Sequence, residues 1–144
     1  MDIFNKVNNL EITEKTKLNI VRKSDFIDEV FFDQDGYPKP SWIDVSVTDL
    51  CNRRCVFCPR VDPTFYPNQN LHFSLNLARK LVSDLQKNNY KGGVVFCGYG
   101  EPLLHPRIYD LVNIFKEVHL EIVTNGDKLS TDVVKCLYKA GANF

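Results

Sequence analysis

Little in this chain leans one way. Eighteen basic residues cancel eighteen acidic ones over 144 positions, so no global field argues for nucleic acid or an anionic membrane as partner. No apolar run approaches the ~20 residues that span a bilayer. Residues 1–10 lack the apolar core of a secretion signal. The expectation is a cytoplasmic protein with no membrane segment. There is no Ser/His/Asp set and no phosphate-cradling glycine loop of the Walker type, so two large classes of chemistry drop out of the reading. What remains is an ordinary globular composition, 44% hydrophobic and 25% charged, in a length that favours one domain.

The cysteines are the exception. There are five, an odd number, and their clustering fits metal binding in a reducing compartment better than a disulfide framework. Cys51, Cys55 and Cys58 form a C-x-x-x-C-x-x-C array, and thiolates this close can converge on one soft metal centre. No fourth cysteine stands at matching spacing, whereas a cubane [4Fe–4S] cluster is usually held by four. A three-cysteine site leaves one iron open to a substrate or cofactor, as catalytic zinc keeps an open position. Two other readings stand beside this one. The offsets of the array fit a helix stripe of three small apolar residues. A structural zinc with an unseen fourth ligand is the other, although it would want paired C-x-x-C knuckles. Cys97, in an apolar strand, and Cys136, on a helix, read as small buried hydrophobes. Arg53, Arg54 and Arg60 flank the array and are weak support for an anionic substrate.

Residues 1–40 read as an N-terminal extension packed on the main unit. Leu18, Ile20, Val21, Phe26, Ile27, Val30, Phe31 and Phe32 supply a short helix and a strand, and Asp33-Gln34-Asp35-Gly36 is a turn signal. The main unit, residues 41–144, alternates strands and helices. Residues 42–47 are a first strand, followed by the cysteine loop, which Pro59, Pro63 and Pro67 keep non-helical. Ser74 caps a helix that runs to Asn88-Asn89. A second strand covers residues 94–97, with a helix from about Arg107. A third strand covers residues 120–124, ended by Asn125-Gly126. A helix over residues 131–140 then reaches Gly141 as its C-cap. This order predicts an α/β fold of parallel βα repeats with right-handed crossovers. All three strand ends carry distinctive residues, and in such folds chemistry gathers at the C-terminal ends of strands.

The array, with Phe57 before its third cysteine, resembles the cluster motif of the radical S-adenosylmethionine (radical SAM) superfamily. The downstream run Val94-Val95-Phe96-Cys97-Gly98-Tyr99-Gly100-Glu101-Pro102-Leu103 resembles that family's second strand and Gly-Gly-Glu loop, with Tyr99 as a departure in its middle. The resemblance implies a [4Fe–4S] cluster on Cys51, Cys55 and Cys58, with S-adenosylmethionine chelating the open iron. Reductive cleavage of that cofactor would yield a 5′-deoxyadenosyl radical, which abstracts hydrogen from a substrate. It implies that Gly98, Tyr99, Gly100 and Glu101 bind the amino group of the methionine moiety. Phe57 would lie near the adenine or shield the cluster, and Thr124 and Asn125 would touch cofactor or substrate. An Asn-Gly turn explains the last two residues equally well, and a core aromatic explains Phe57.

The family's core is a partial (β/α)6 TIM-like barrel, so the resemblance covers its first half. Later cofactor contacts would fall beyond Phe144, and the chain reads as a fragment or one piece of a split protein. The style of the motifs is closest to members with a C-terminal auxiliary-cluster domain, which act on peptides or carbohydrate-like alcohols. A reductant such as flavodoxin or ferredoxin is implied as partner. A catalytically inert cluster-binding fragment and a structural zinc module are the alternatives.

Overall fold

The structure, a computed structural model, describes residues 17, 21, 32 and 34–142. Most of the expected N-terminal helix and strand therefore lies outside the described residues. What is described there is a turn at Gln34 and Asp35, with Gly36 at φ +83° and an antiparallel bridge between Phe32 and Pro38.

The expected alternation is present. Strand β1 (Trp42–Val45) leads to helix α1 (Leu75–Lys87), β2 (Gly93–Phe96), α2 (Ile108–Ile114), β3 (His119–Ile122) and α3 (Thr131–Ala140). The strands form one parallel sheet in the order β1-β2-β3. Ile43, Val94 and Leu120 stand in register, as do Val45, Phe96 and Ile122. Each βα unit thus adds its strand on the same side of the last, as successive repeats of a barrel do. The helix ends follow local chemistry. The Ser74 hydroxyl accepts from the Leu77 N–H, and the Ser130 hydroxyl accepts from the Val133 N–H. Gly141 closes α3 at φ +112°, a left-handed conformation that glycine adopts without cost.

The two faces of the sheet differ because side chains alternate along each strand. One face carries Val45, Val94 and Phe96 against α1, α2 and α3, with Phe96 and Phe115 meeting edge to face at 5.1 Å between centroids. The other face carries Asp44, Val95 and Glu121 side by side. At the start of β2, Gly93 has no side chain, and Trp42 lies across it to meet His119 edge-on at 5.5 Å.

Two strands are shorter than their composition suggests, because their last residues are drawn to other partners. After Val45 the chain turns from β2 toward residues 71–73. The Phe73 N–H donates to the Val47 carbonyl at 2.9 Å, and the Asp49 N–H to that of Leu71 at 2.9 Å. After Ile122, Val123 still donates to the Phe96 carbonyl at 2.9 Å, but the Thr124 side chain binds Glu101.

Candidate functional site

The thiol loop lies between β1 and α1, where its proline content keeps it irregular. Residues 51–58 form no helix, so the helix-stripe reading of the array does not hold. Local bonds shape the loop instead. The Cys51 N–H donates to Asn68 Oδ1 at 2.9 Å, and Asn68 Nδ2 donates back to the Cys51 carbonyl at 3.0 Å. The Cys58 N–H donates to the Cys55 carbonyl at 3.0 Å. Cys58 then opens a short 3-10 turn, Pro59–Val61, with Pro59 in the first-turn position that lacks a donor requirement. All three cysteines are free thiols and half-buried. Among the described residues, no three His, Cys, Asp or Glu side chains group around a single-ion site. A cubane spreads its ligands over separate irons, and three soft, accessible thiols in one loop are the donor set it requires.

Arg60 anchors this loop from within. It is 4% exposed. Its guanidinium donates to the carbonyl of Asp49, to Asp49 Oδ1 at 2.9 Å, to Asn68 Oδ1 at 3.0 Å and to the Tyr99 carbonyl. The Tyr66 ring lies 4.7 Å from its central carbon, and the Tyr66 hydroxyl donates to Asp49 Oδ1 at 3.3 Å. Burial, then the neighbouring Asp49 carboxylate, pushes the Tyr66 phenol above its ordinary pKa. Arg60 is thus not available to a substrate from this position. The sequence names Arg60 only as flanking the array, with an anionic substrate in view; its anchoring role joins residues that meet only in the fold.

The glycine loop after β2 sits directly against the thiol loop. A side chain on Gly100 would bring its Cβ to 1.8 Å from the Thr48 carbonyl oxygen, so glycine is needed for two backbones to touch. The Glu101 N–H donates to the Leu50 carbonyl at 2.7 Å across the same contact. Gly98 takes φ +120°. Tyr99 is half exposed and meets Tyr66 edge-on at 5.3 Å. Pro102 starts a 3-10 turn, Pro102–Leu104.

The Glu101 carboxylate is 2% exposed and already engaged. One oxygen accepts from the Leu103 N–H at 3.0 Å and the Thr124 hydroxyl at 2.7 Å; the other accepts from the Asn125 N–H at 2.7 Å. It joins the glycine loop to the end of β3. Asn125 continues the connection. Its Nδ2 donates to Asn52 Oδ1 at 2.9 Å, and its Oδ1 accepts from the Asp127 N–H at 3.0 Å. The Asn52 amide donates to Asp127 Oδ2 at 2.8 Å, as does Arg53 Nε at 2.8 Å, and a second Arg53 nitrogen reaches Asp127 Oδ1. The bond from Arg53 is the main cause holding the Asp127 carboxyl below its ordinary pKa.

The structure therefore brings Cys51, Cys55, Cys58, Gly98, Tyr99, Gly100, Glu101, Thr124 and Asn125 to the C-terminal ends of three adjacent strands. Phe57 is 89% exposed, which removes the core-aromatic reading. Cys97 is half-buried at the end of β2, and Cys136 is exposed rather than packed in the core. His105 is buried beneath the loops. Its Nδ1 accepts from the Arg107 N–H at 3.0 Å, so Nε2 carries the proton toward the Phe73 carbonyl at 3.1 Å. Burial lowers its pKa.

A parallel βα sheet with a thiol loop, a glycine loop and an Asn-Gly turn at one end has the layout of a cofactor-binding α/β enzyme core. The sequence profile of the Radical SAM superfamily matches residues 45–144, and the chain belongs to that family. A GTP 3',8-cyclase of Marinobacter nauticus is 35% identical over 108 residues, covering 70% of this chain and 30% of the relative. The S-adenosyl-L-methionine-dependent 2-deoxy-scyllo-inosamine dehydrogenase of Niallia circulans is 29% identical over 115 residues, covering 70% and 41%. The crystal structure of BtrN in complex with AdoMet and 2-DOIA superposes with a TM-score of 0.63 at 30% identity, covering 70% of this chain and 42% of that one. The chain thus spans under half the length of these relatives, over the first βα units of a partial barrel. Members of the superfamily are enzymes that use a [4Fe–4S] cluster and S-adenosylmethionine. Among the described residues no helix is long and apolar enough to cross a membrane.

Proposed function

We propose that Cys51, Cys55 and Cys58 ligate three irons of a [4Fe–4S] cluster and that the fourth iron is left for S-adenosylmethionine. The observation that carries this is the set of three free, half-buried thiols in one irregular loop at the end of β1. When bound, the cluster supplies the one-electron chemistry that cleaves S-adenosylmethionine and starts radical hydrogen abstraction from a substrate. The chain's own residues hold and shape the site. Arg60 and Asn68 fix the loop backbone around Cys51. Gly98, Tyr99 and Gly100 form the adjoining wall, which receives the methionine amino group. Glu101 supports that wall from behind, since its carboxylate is spent on Leu103, Thr124 and Asn125. Phe57, exposed beside the thiols, covers the cofactor once it is in place, and Asn125 borders the same mouth. A one-electron reductant of the flavodoxin or ferredoxin kind completes the system.

Anaerobic reconstitution with iron and sulfide tests this reading. It should give about four irons per chain, and S-adenosylmethionine should change the electron paramagnetic resonance signal of the reduced cluster. Stoichiometric zinc with no cluster after reconstitution, or a spectrum indifferent to saturating cofactor, would refute it.

A further inference from the structure

The stretch between the first two thiols is held from another part of the chain. Asn52 and Arg53 follow Cys51 directly, and both bind the carboxylate of Asp127, more than seventy residues away. Arg53 engages both carboxylate oxygens, a bidentate geometry that fixes orientation as well as distance. Asn125 closes the ring by binding Asn52 with its amide nitrogen and the Asp127 N–H with its amide oxygen. The Asn125 N–H is in turn held by Glu101, so the second loop supports the same latch. An isolated surface ion pair fixes little. Here two side chains from one loop and two from another share interlocking bonds, and such a network is worth more than its separate pairs.

We propose that Asp127 is a positioning residue for the thiol loop. Through Arg53 and Asn52 it holds the segment from Cys51 to Cys55 in the conformation that presents both sulfurs to the cluster. The proposal rests on the cluster reading for its purpose but not for its test.

The test uses the full chain with Asp127→Ala, Arg53→Ala and the charge exchange Arg53→Asp with Asp127→Arg. In cluster-free protein, alkylation of Cys55 is followed by mass spectrometry, with exposed Cys136 as internal reference. In reconstituted protein, the rate at which a chelator strips iron is followed. Each single variant should raise both rates about two- to fivefold, the range of a networked surface pair, and the charge exchange should return them toward the parent. Single variants matching the parent, or a charge exchange no better than either single change, would overturn the latch. If the parent itself takes up no cluster, the proposed function falls, and the alkylation rates still decide the role of Asp127.

Discussion

Between the sheet and its helices, Val94, Phe96, Leu111, Val112 and Phe115 are buried against one another with no polar group among them. At the C-terminal ends of the strands lie the buried polar and charged residues Thr48, Arg60, Glu101 and His105. The first region is stabilised by non-directional burial, which tolerates small shifts. The second is stabilised by directional bonds, in which every donor must find its acceptor and a lost partner leaves a desolvated group behind. A site that must present three sulfurs at fixed positions is better served by the second kind of order. The contrast also says where change should be global and where local.

Phe96→Ala should produce the largest effect. It empties the centre of the apolar region and should lower unfolding free energy by about 3–5 kcal/mol, read by denaturant titration. The thiol loop of the protein that remains folded should keep its alkylation pattern. A selective rise in loop reactivity at low denaturant would break the distinction between the regions.

Gly100→Ala comes next. Its added carbon would overlap the Thr48 carbonyl, and the backbone shift should cost about 1–3 kcal/mol. The displaced segment leads directly into Cys51, so cluster uptake should fall with it. Unimpaired uptake would show that the two loops do not need to touch.

Glu101→Gln keeps the shape but turns an amide nitrogen toward donors that now meet a carboxylate oxygen. A loss of about 1–2 kcal/mol is expected, with faster hydrogen exchange at Asn125 and little change at Val94. Equal change at both amides would mean that the carboxylate acts on the fold as a whole.

The smallest effect is that of His105. Its pKa is depressed by burial in the folded state. The unfolded chain therefore binds the proton more readily, and folding is disfavoured as pH falls. The contribution is complete above the ordinary histidine value of about 6.5 and is lost as pH falls through the depressed folded value. Thermal melts at neutral and mildly acidic pH should lie closer together in His105→Gln than in the parent, because the acid-dependent loss from His105 is gone. An identical acid dependence in both would remove His105 from the account.

The legibility of the sequence follows the same division. The alternation of strands and helices, Ser74 as a cap and Gly141 as a stop all depend on neighbours within one turn, and they are where the pattern puts them. The thiol array and glycine loop were visible as motifs because their spacing is local. The Arg60 anchor, the Glu101 joint and the Asp127 latch were not, since each links residues that become neighbours only after the strands align. Residue type misled at Cys136 and in one reading of Phe57, which composition assigns to a core and the fold leaves exposed. The strand ends were overextended for a related reason: β-branched residues such as Val47 and Thr124 suit a strand but found other partners.

The central claim concerns which sulfurs carry the cluster, and a cysteine series measures it most directly. Iron and acid-labile sulfide are determined after anaerobic reconstitution of the parent and of five single Cys→Ala variants. The account predicts about four irons per chain for the parent, loss of the intact cluster in Cys51→Ala, Cys55→Ala and Cys58→Ala, and full retention in Cys97→Ala and Cys136→Ala. Retention in any of the first three, or loss in either of the last two, would contradict it.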